Sequence, residues 1–247
     1  MTTATTTPEQ RGLPGNAYKT DHARRYDDTI RRVIPGYDAL HSMTGVLLRD
    51  AIGDDGRILV VGAGTGAELL ALGEMGLQWR FTACDPAPDM LAVARERLAG
   101  HPVEARAALH ACIADDLPAG ESAFDAATCL LVMHFLPDDG SKLALLKSIA
   151  ARLKPGAPLI LADMHEDPAS ERWQRILRAW AGWQKTNGID PVMVERGLEH
   201  VRRSVHFVPR ARLEALFDEA GFEPSMDFWH AFQFGAFLTR RKAEAAA

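Results

Sequence analysis

The chain has 247 residues, 47% of them hydrophobic and 25% charged, with a formal net charge of -5. That length suits one large domain or two small ones, an α/β barrel included, and the apolar fraction excludes a disordered or collagen-like chain. The acidic balance argues against a binder of phosphate backbones, so nucleic acid is not an expected partner. Cys84, Cys112 and Cys129 are odd in number, widely spaced and contain no CxxC pair, which reads as reduced thiols in a reducing compartment. The longest apolar stretch, 126–136, is about half of the ~20 residues that cross a bilayer. Residues 1–16 lack the charged start and apolar core of a signal peptide. A cytoplasmic protein without a membrane partner is expected.

Residues 1–16 are rich in Thr, Pro and Gly and read as a flexible tail. Two helical patterns follow, 18–33 and 37–51, broken by Pro35 and Gly36. They precede the first strong strand, as an N-terminal cover over 17–52 would. From there strands and helices alternate: strands at 57–62, 79–84, 109–113, 124–133 and 158–164, and helices at 67–75, 88–98 and 141–153. Short strands alternating with helices imply a doubly wound α/β fold, a parallel sheet with helices on both faces. The rhythm then breaks at 165–208, a helical insertion with helices at 168–186 and 192–203. A helix at 210–220 and two strands at 222–229 and 232–239 follow, the last pair close enough to be an antiparallel hairpin. One domain over 17–241, with a frayed 242–247, accounts for the chain.

Gly62, Ala63, Gly64, Thr65 and Gly66 lie between the first strand and first helix, where glycine permits a sharp turn and close ligand approach. Asp85 ends the second strand and is followed by Pro86 and Met90; its carboxylate either accepts both hydroxyls of a ribose or caps the next helix. The glycine loop alone also fits a dinucleotide site, which would make the chain an NAD-dependent oxidoreductase.

Five pieces in order, VVGAGTG at 60–66, CDPAPDML at 84–91, ADDLP at 114–118, FDAATCLLVMHFLPD at 124–138 and LKPGAPLILAD at 153–163, resemble the class I S-adenosylmethionine-dependent methyltransferases. The resemblance implies a seven-stranded, mostly parallel, Rossmann-like sheet with an antiparallel last strand. It also implies S-adenosyl-L-methionine as cofactor and in-line methyl transfer to a small molecule. By that resemblance the glycine loop meets the amino-acid part of the cofactor, Asp85 the ribose, and the loop of Ile113, Ala114 and Asp115 the adenine. Leu130 stands at the end of the fourth strand.

IPGYDALHSMTGVLL at 34–48, WQKTNGID at 183–190 and the segment 220–243 further resemble carboxy-S-adenosyl-L-methionine synthases, an alternative activity that consumes prephenate. That likeness places Tyr37 against the cofactor and Arg196 against an extra carboxylate, with Arg202 or Arg203 as substitutes. A fold-retaining, non-catalytic cofactor binder is a further alternative.

Direct displacement at a sulfonium needs alignment of the acceptor and a base where the acceptor carries a proton. His134 and His165, at the carboxyl edge of the sheet, are the candidate bases. His134 could instead pack beside Phe135, and His165 could belong to a solvated loop with Glu166 and Asp167. Tyr18, Tyr26 and Tyr37 recur along the cover, where aromatic faces attract a cation or fill a core. Trp173, Trp180 and Trp183 share one helix face. They form either core or an acceptor pocket, and Trp183 is the candidate substrate contact. No metal site is expected, and homodimer formation stays open.

Overall fold

The computed structural model describes residues 20–75 and 78–243; the tail at 1–16, Tyr18 and 244–247 lie outside them. Helices α1 (Thr20–Val33) and α2 (Tyr37–Ile52) come first, separated by Gly36 at φ +72°. The alternation then runs β1 (Arg57–Val61), α3 (Ala67–Gly73), β2 (Arg80–Cys84), α4 (Pro88–Leu98), β3 (Ala107–His110), β4 (Ala126–Leu130), α5 (Ser141–Arg152) and β5 (Pro158–Met164). Helices α6 (Glu171–Thr186), α7 (Pro191–Ser204) and α8 (Arg210–Glu219) precede the hairpin of β6 (Met226–Ala231) and β7 (Phe234–Arg240).

The seven strands form one sheet in the order β3-β2-β1-β4-β5-β7-β6. β7 runs antiparallel to both of its neighbours, and the pairs among β1 to β5 are parallel. β1, β4 and β5 are central, mostly apolar and buried from Ile58, Ala126 and Pro158 onward, because helices cover both faces. Leu59, Cys129 and Leu161 pack with α5 and α8 on one face, and Val60, Leu69 and Leu91 with α3 and α4 on the other.

Two strand boundaries depart from the sequence expectation. β3 occupies 107–110 instead of 109–113, because its parallel register sets Phe81 opposite Ala107 and Cys84 opposite His110, so it stops where β2 stops. β4 ends at Leu130 because Leu131 takes φ +61° and turns the chain out of the sheet. The hairpin is displaced in the same way: Phe232, at φ +55°, lies in the turn and not in a strand.

A third apolar cluster ties the first two helices to α6 and α7. Ile34, Tyr37, Trp173, Trp180 and Leu198 are buried together, and the Trp180 indole donates to the Val33 carbonyl at 2.7 Å. Trp173 and Trp180 are therefore core residues, 3% and 4% exposed. No helix among the described residues is long and apolar enough to cross a membrane.

Candidate active site

The chain order places the carboxyl ends of β1 and β4 side by side, and ligands of open α/β sheets bind at that edge. A cleft of about 110 Å³ opens there. Its floor is the loop from Gly62 to Thr65, one wall is Asp85 to Ala87 with Met90, and the other is Leu130 to Val132 with Phe135. Tyr26, Tyr37 and His41 come down from α1 and α2. At Leu136 a second depression of about 230 Å³ takes over, lined by Ile113, Ala114, Asp115, Ser141 and Leu145.

The glycine loop is shaped by its neighbours. At Gly62 the Gly62 and Ala63 amides donate to the Cys84 carbonyl at 2.8 and 3.1 Å. A side chain on Gly62, at φ +80°, would meet Val132 at 2.1 Å. At Gly64 the opposite holds: φ is +52° and a Cβ would meet nothing nearer than Met90 at 3.6 Å, so the backbone is open to the cleft. The Gly64 amide donates to one Asp85 carboxylate oxygen at 2.9 Å, and the Ala87 amide donates to the other at 2.8 Å. Asp85 is thus clasped between two loops, and burial raises its pKa above the ordinary carboxylate value against the pull of those two amides.

Glu68, in the first turn of α3, also lines the cleft. It is 6% exposed, and its Oε1 is buried with no hydrogen-bond partner. Burial pushes its carboxyl up to about 7, with only Thr128 of β4 opposing. The cleft lining contains these two carboxyl groups and no lysine or arginine. Sequence reasoning passed over Glu68, since an acidic residue at a helix start ordinarily faces solvent.

The first helix is fastened to the loop by a polar triad. The Thr65 hydroxyl donates to Asp27 at 2.6 Å, Arg97 of α4 pairs with Asp27, and Arg97 also donates to the Thr65 carbonyl at 3.0 Å. Arg97→Ala would leave the Asp27 carboxylate little exposed and without its cation. Losing a charged hydrogen bond of this kind costs about 1.5–3 kcal/mol. Amide hydrogen exchange in α1 is therefore expected to accelerate about tenfold or more, with α5 unchanged.

His134 lies in a single turn at Met133–Phe135, just beyond β4, and its Nδ1 is hydrogen-bonded to the Asp163 carboxylate near the end of β5. Both side chains are buried, at 7% and 1% exposure. Buried Lys142 donates to the Met133 carbonyl at 2.8 Å and holds that turn in place. His134 is one residue from Phe135 in the cleft wall but does not itself line the cleft.

The structure therefore brings Tyr37, Gly62, Ala63, Gly64, Asp85, Pro86, Met90 and Leu130 together in one cleft and places Ile113, Ala114 and Asp115 in the adjoining depression. Gly66, at φ +79°, packs on Ala94 instead of lining the cleft. His165 sits apart, its ring 5.5 Å from His230 and 5.2 Å from Phe237, under β7. Arg196 is exposed on α7, away from the cleft lining. Trp183 packs 6.4 Å from Phe232 and is also outside it. Among the described residues no cluster could hold a metal ion.

Residues 58–156 match the protein family described as Methyltransferase domain. A ubiquinone biosynthesis O-methyltransferase of Xanthomonas campestris pv. campestris is 34% identical over 115 residues, 46% of this chain. That match spans 45% of the relative, so this chain aligns with a little under half of its length. A carboxy-S-adenosyl-L-methionine synthase of Aeromonas salmonicida is 24% identical over 232 residues, 89% of each chain. Among solved structures, an amino pentose methyltransferase of Micromonospora echinaspora with S-adenosylmethionine bound superposes with a TM-score of 0.60. It is 22% identical and the match covers 88% of this chain and 96% of that one.

Proposed function

We propose that the chain, whose residues 58–156 match a methyltransferase domain, is a class I S-adenosylmethionine-dependent methyltransferase that transfers the methyl group of S-adenosyl-L-methionine to a small molecule. The observation that carries this reading is the Asp85 carboxylate, clasped by the Gly64 and Ala87 amides at the carboxyl edge of the sheet. Each carboxylate oxygen keeps a lone pair beyond the one an amide uses, enough to accept the two hydroxyls of a ribose. The residues also fit the cofactor's charge: two carboxyl groups and no lysine or arginine line the cleft, and one buried carboxylate oxygen lacks a donor. When bound, the cofactor supplies a methyl carbon activated by the sulfonium.

In this reading Gly64 gives the ligand access to the loop backbone, and Tyr37, His41 and Phe135 exclude water around the reacting end. Ile113, Ala114 and Asp115 border the adenine. We assign the base to His134, one residue from Phe135 in the cleft wall: with Nδ1 held by Asp163, Nε2 is the ring nitrogen that would take the acceptor's proton. The alternative synthase activity calls for an arginine beside the modified methyl group. The exposed position of Arg196 on α7 favours simple methyl transfer instead.

Titration calorimetry with S-adenosylhomocysteine tests the reading. One site with a dissociation constant on the order of micromolar is expected, in the range usual for enzyme ligands. Absence of binding by protein that unfolds cooperatively would overturn it.

A further inference from the structure

We infer that Glu68 is the recognition group for the primary ammonium of the cofactor's amino-acid end. The inference rests on the cofactor reading above and adds to it a residue and a charge partner.

Of the two carboxyl groups in the cleft, Asp85 already receives an amide on each oxygen, whereas Glu68 Oε1 has no hydrogen-bond partner and only the neutral Thr128 hydroxyl acts on the Glu68 carboxyl from beside it. A buried acceptor without a donor is costly, and 6% exposure leaves little water to supply one. The ligand carries two positive centres, but only one of them suits this vacancy. A sulfonium has no N–H or O–H and cannot fill an acceptor's lone pair, while an ammonium brings three donors. Glu68 also follows the glycine loop by two residues and lines the same cleft as the Asp85 clasp. With the ribose on Asp85, Glu68 is the other carboxyl group that the cleft lining offers to the amino-acid end of the ligand. The cleft lining offers the ammonium no competing Lys or Arg charge.

Burial lifts the Glu68 pKa to about 7, so the carboxyl stands near the midpoint of its titration at neutral pH. A cation beside it favours the ionised form, so binding releases a proton below that value. The other groups facing Glu68 do not share this window. Burial keeps Tyr37 on α2 and Cys129 on β4 protonated, and keeps His41 on α2 neutral. Asp85, on the loop after β2, contacts the ribose end of every adenosine ligand alike. The ligand's own α-amino group stays protonated below about pH 7.5.

The test compares S-adenosylmethionine, S-adenosylhomocysteine and 5′-methylthioadenosine, which lacks the amino-acid end, on wild type and Glu68→Gln. The substitution is expected to weaken the first two about tenfold each and to leave the third within about twofold, as loss of one charged hydrogen bond would. Weakening of S-adenosylmethionine alone would place the charge at the sulfonium. Equal weakening of all three, or of none, would reduce Glu68 to packing. Each of these outcomes overturns the inference. Should the variant not fold, the wild type decides: S-adenosylhomocysteine affinity rises about five-fold from pH 6 to 7 with the ionised fraction of Glu68 while 5′-methylthioadenosine stays flat. Parallel pH profiles for the two ligands would overturn it. A wild type that binds none of the three contradicts the cofactor reading itself.

Discussion

Asp85→Ala is expected to weaken S-adenosylhomocysteine at least about 100-fold while lowering the melting midpoint little. Two hydrogen bonds from ribose hydroxyls to a carboxylate are worth about 1.5–3 kcal/mol each, and 1.4 kcal/mol is tenfold in affinity. The folding side is small for a reason visible in the pKa. Burial raises Asp85 above its unfolded value, so ionising it opposes folding: the penalty grows as the pH rises above the unfolded pKa and is complete above the folded one. Removing the carboxylate removes the penalty together with the two amide contacts to Gly64 and Ala87. The cleft edge lets water reach those amides in their place. Asp85→Asn discriminates further, because its amide nitrogen must face one of two backbone donors and cannot accept from either. Calorimetry and thermal melting on the same samples check both halves. A large fall in melting temperature with unchanged affinity would assign Asp85 to loop structure alone.

Most of this site could be read from the sequence because a buried strand, a glycine turn and a carboxylate at the end of the next strand are each written in a few neighbouring residues, and together they mark the ligand edge of an open α/β sheet. The run from Arg57 to Gly66 specifies both a buried strand and the turn, and residues 80–85 repeat the strand and add the charge. Strand ends were less legible. The apolar stretch from 124 to 133 hides the point at which Leu131 leaves the sheet, since left-handed backbone at a leucine is imposed by tertiary contacts, here its amide bonded to the Ala162 carbonyl. Glu68 and Asp27 were invisible for a related reason. Each reads as an ordinary charged residue on a helix. Only the packing of α1, α3 and α4 around the loop makes one an unsatisfied carboxyl and the other a latch on Thr65. The tryptophan stripe was open between core and pocket, and the contact of Trp180 with Val33 assigns Trp180 to the core.

The second large effect belongs to His134. His134→Ala is expected to lower kcat about 10²- to 10⁴-fold on an acceptor whose reacting atom carries a proton, the range for loss of a positioned general base. Cofactor affinity should stay within about threefold, because His134 lies outside the cleft lining. Asp163→Asn should retain the ring but lose the partner that fixes its tautomer, giving a smaller fall in kcat and a shifted pH profile. These two variants separate catalysis from structure. A histidine that merely fills space beside Phe135 at 4.3 Å would be restored by glutamine or phenylalanine of similar bulk. A base would not, and would instead show partial recovery with added imidazole. Buried Lys142 provides the internal control, since it supports the same turn through the Met133 carbonyl without reaching the ring. Lys142→Met should lower stability and kcat together. If His134→Ala does the same, with melting temperature and rate falling in proportion and no response to imidazole, the dyad is a strut between β4 and β5, and the base must be sought on the acceptor side of the cleft.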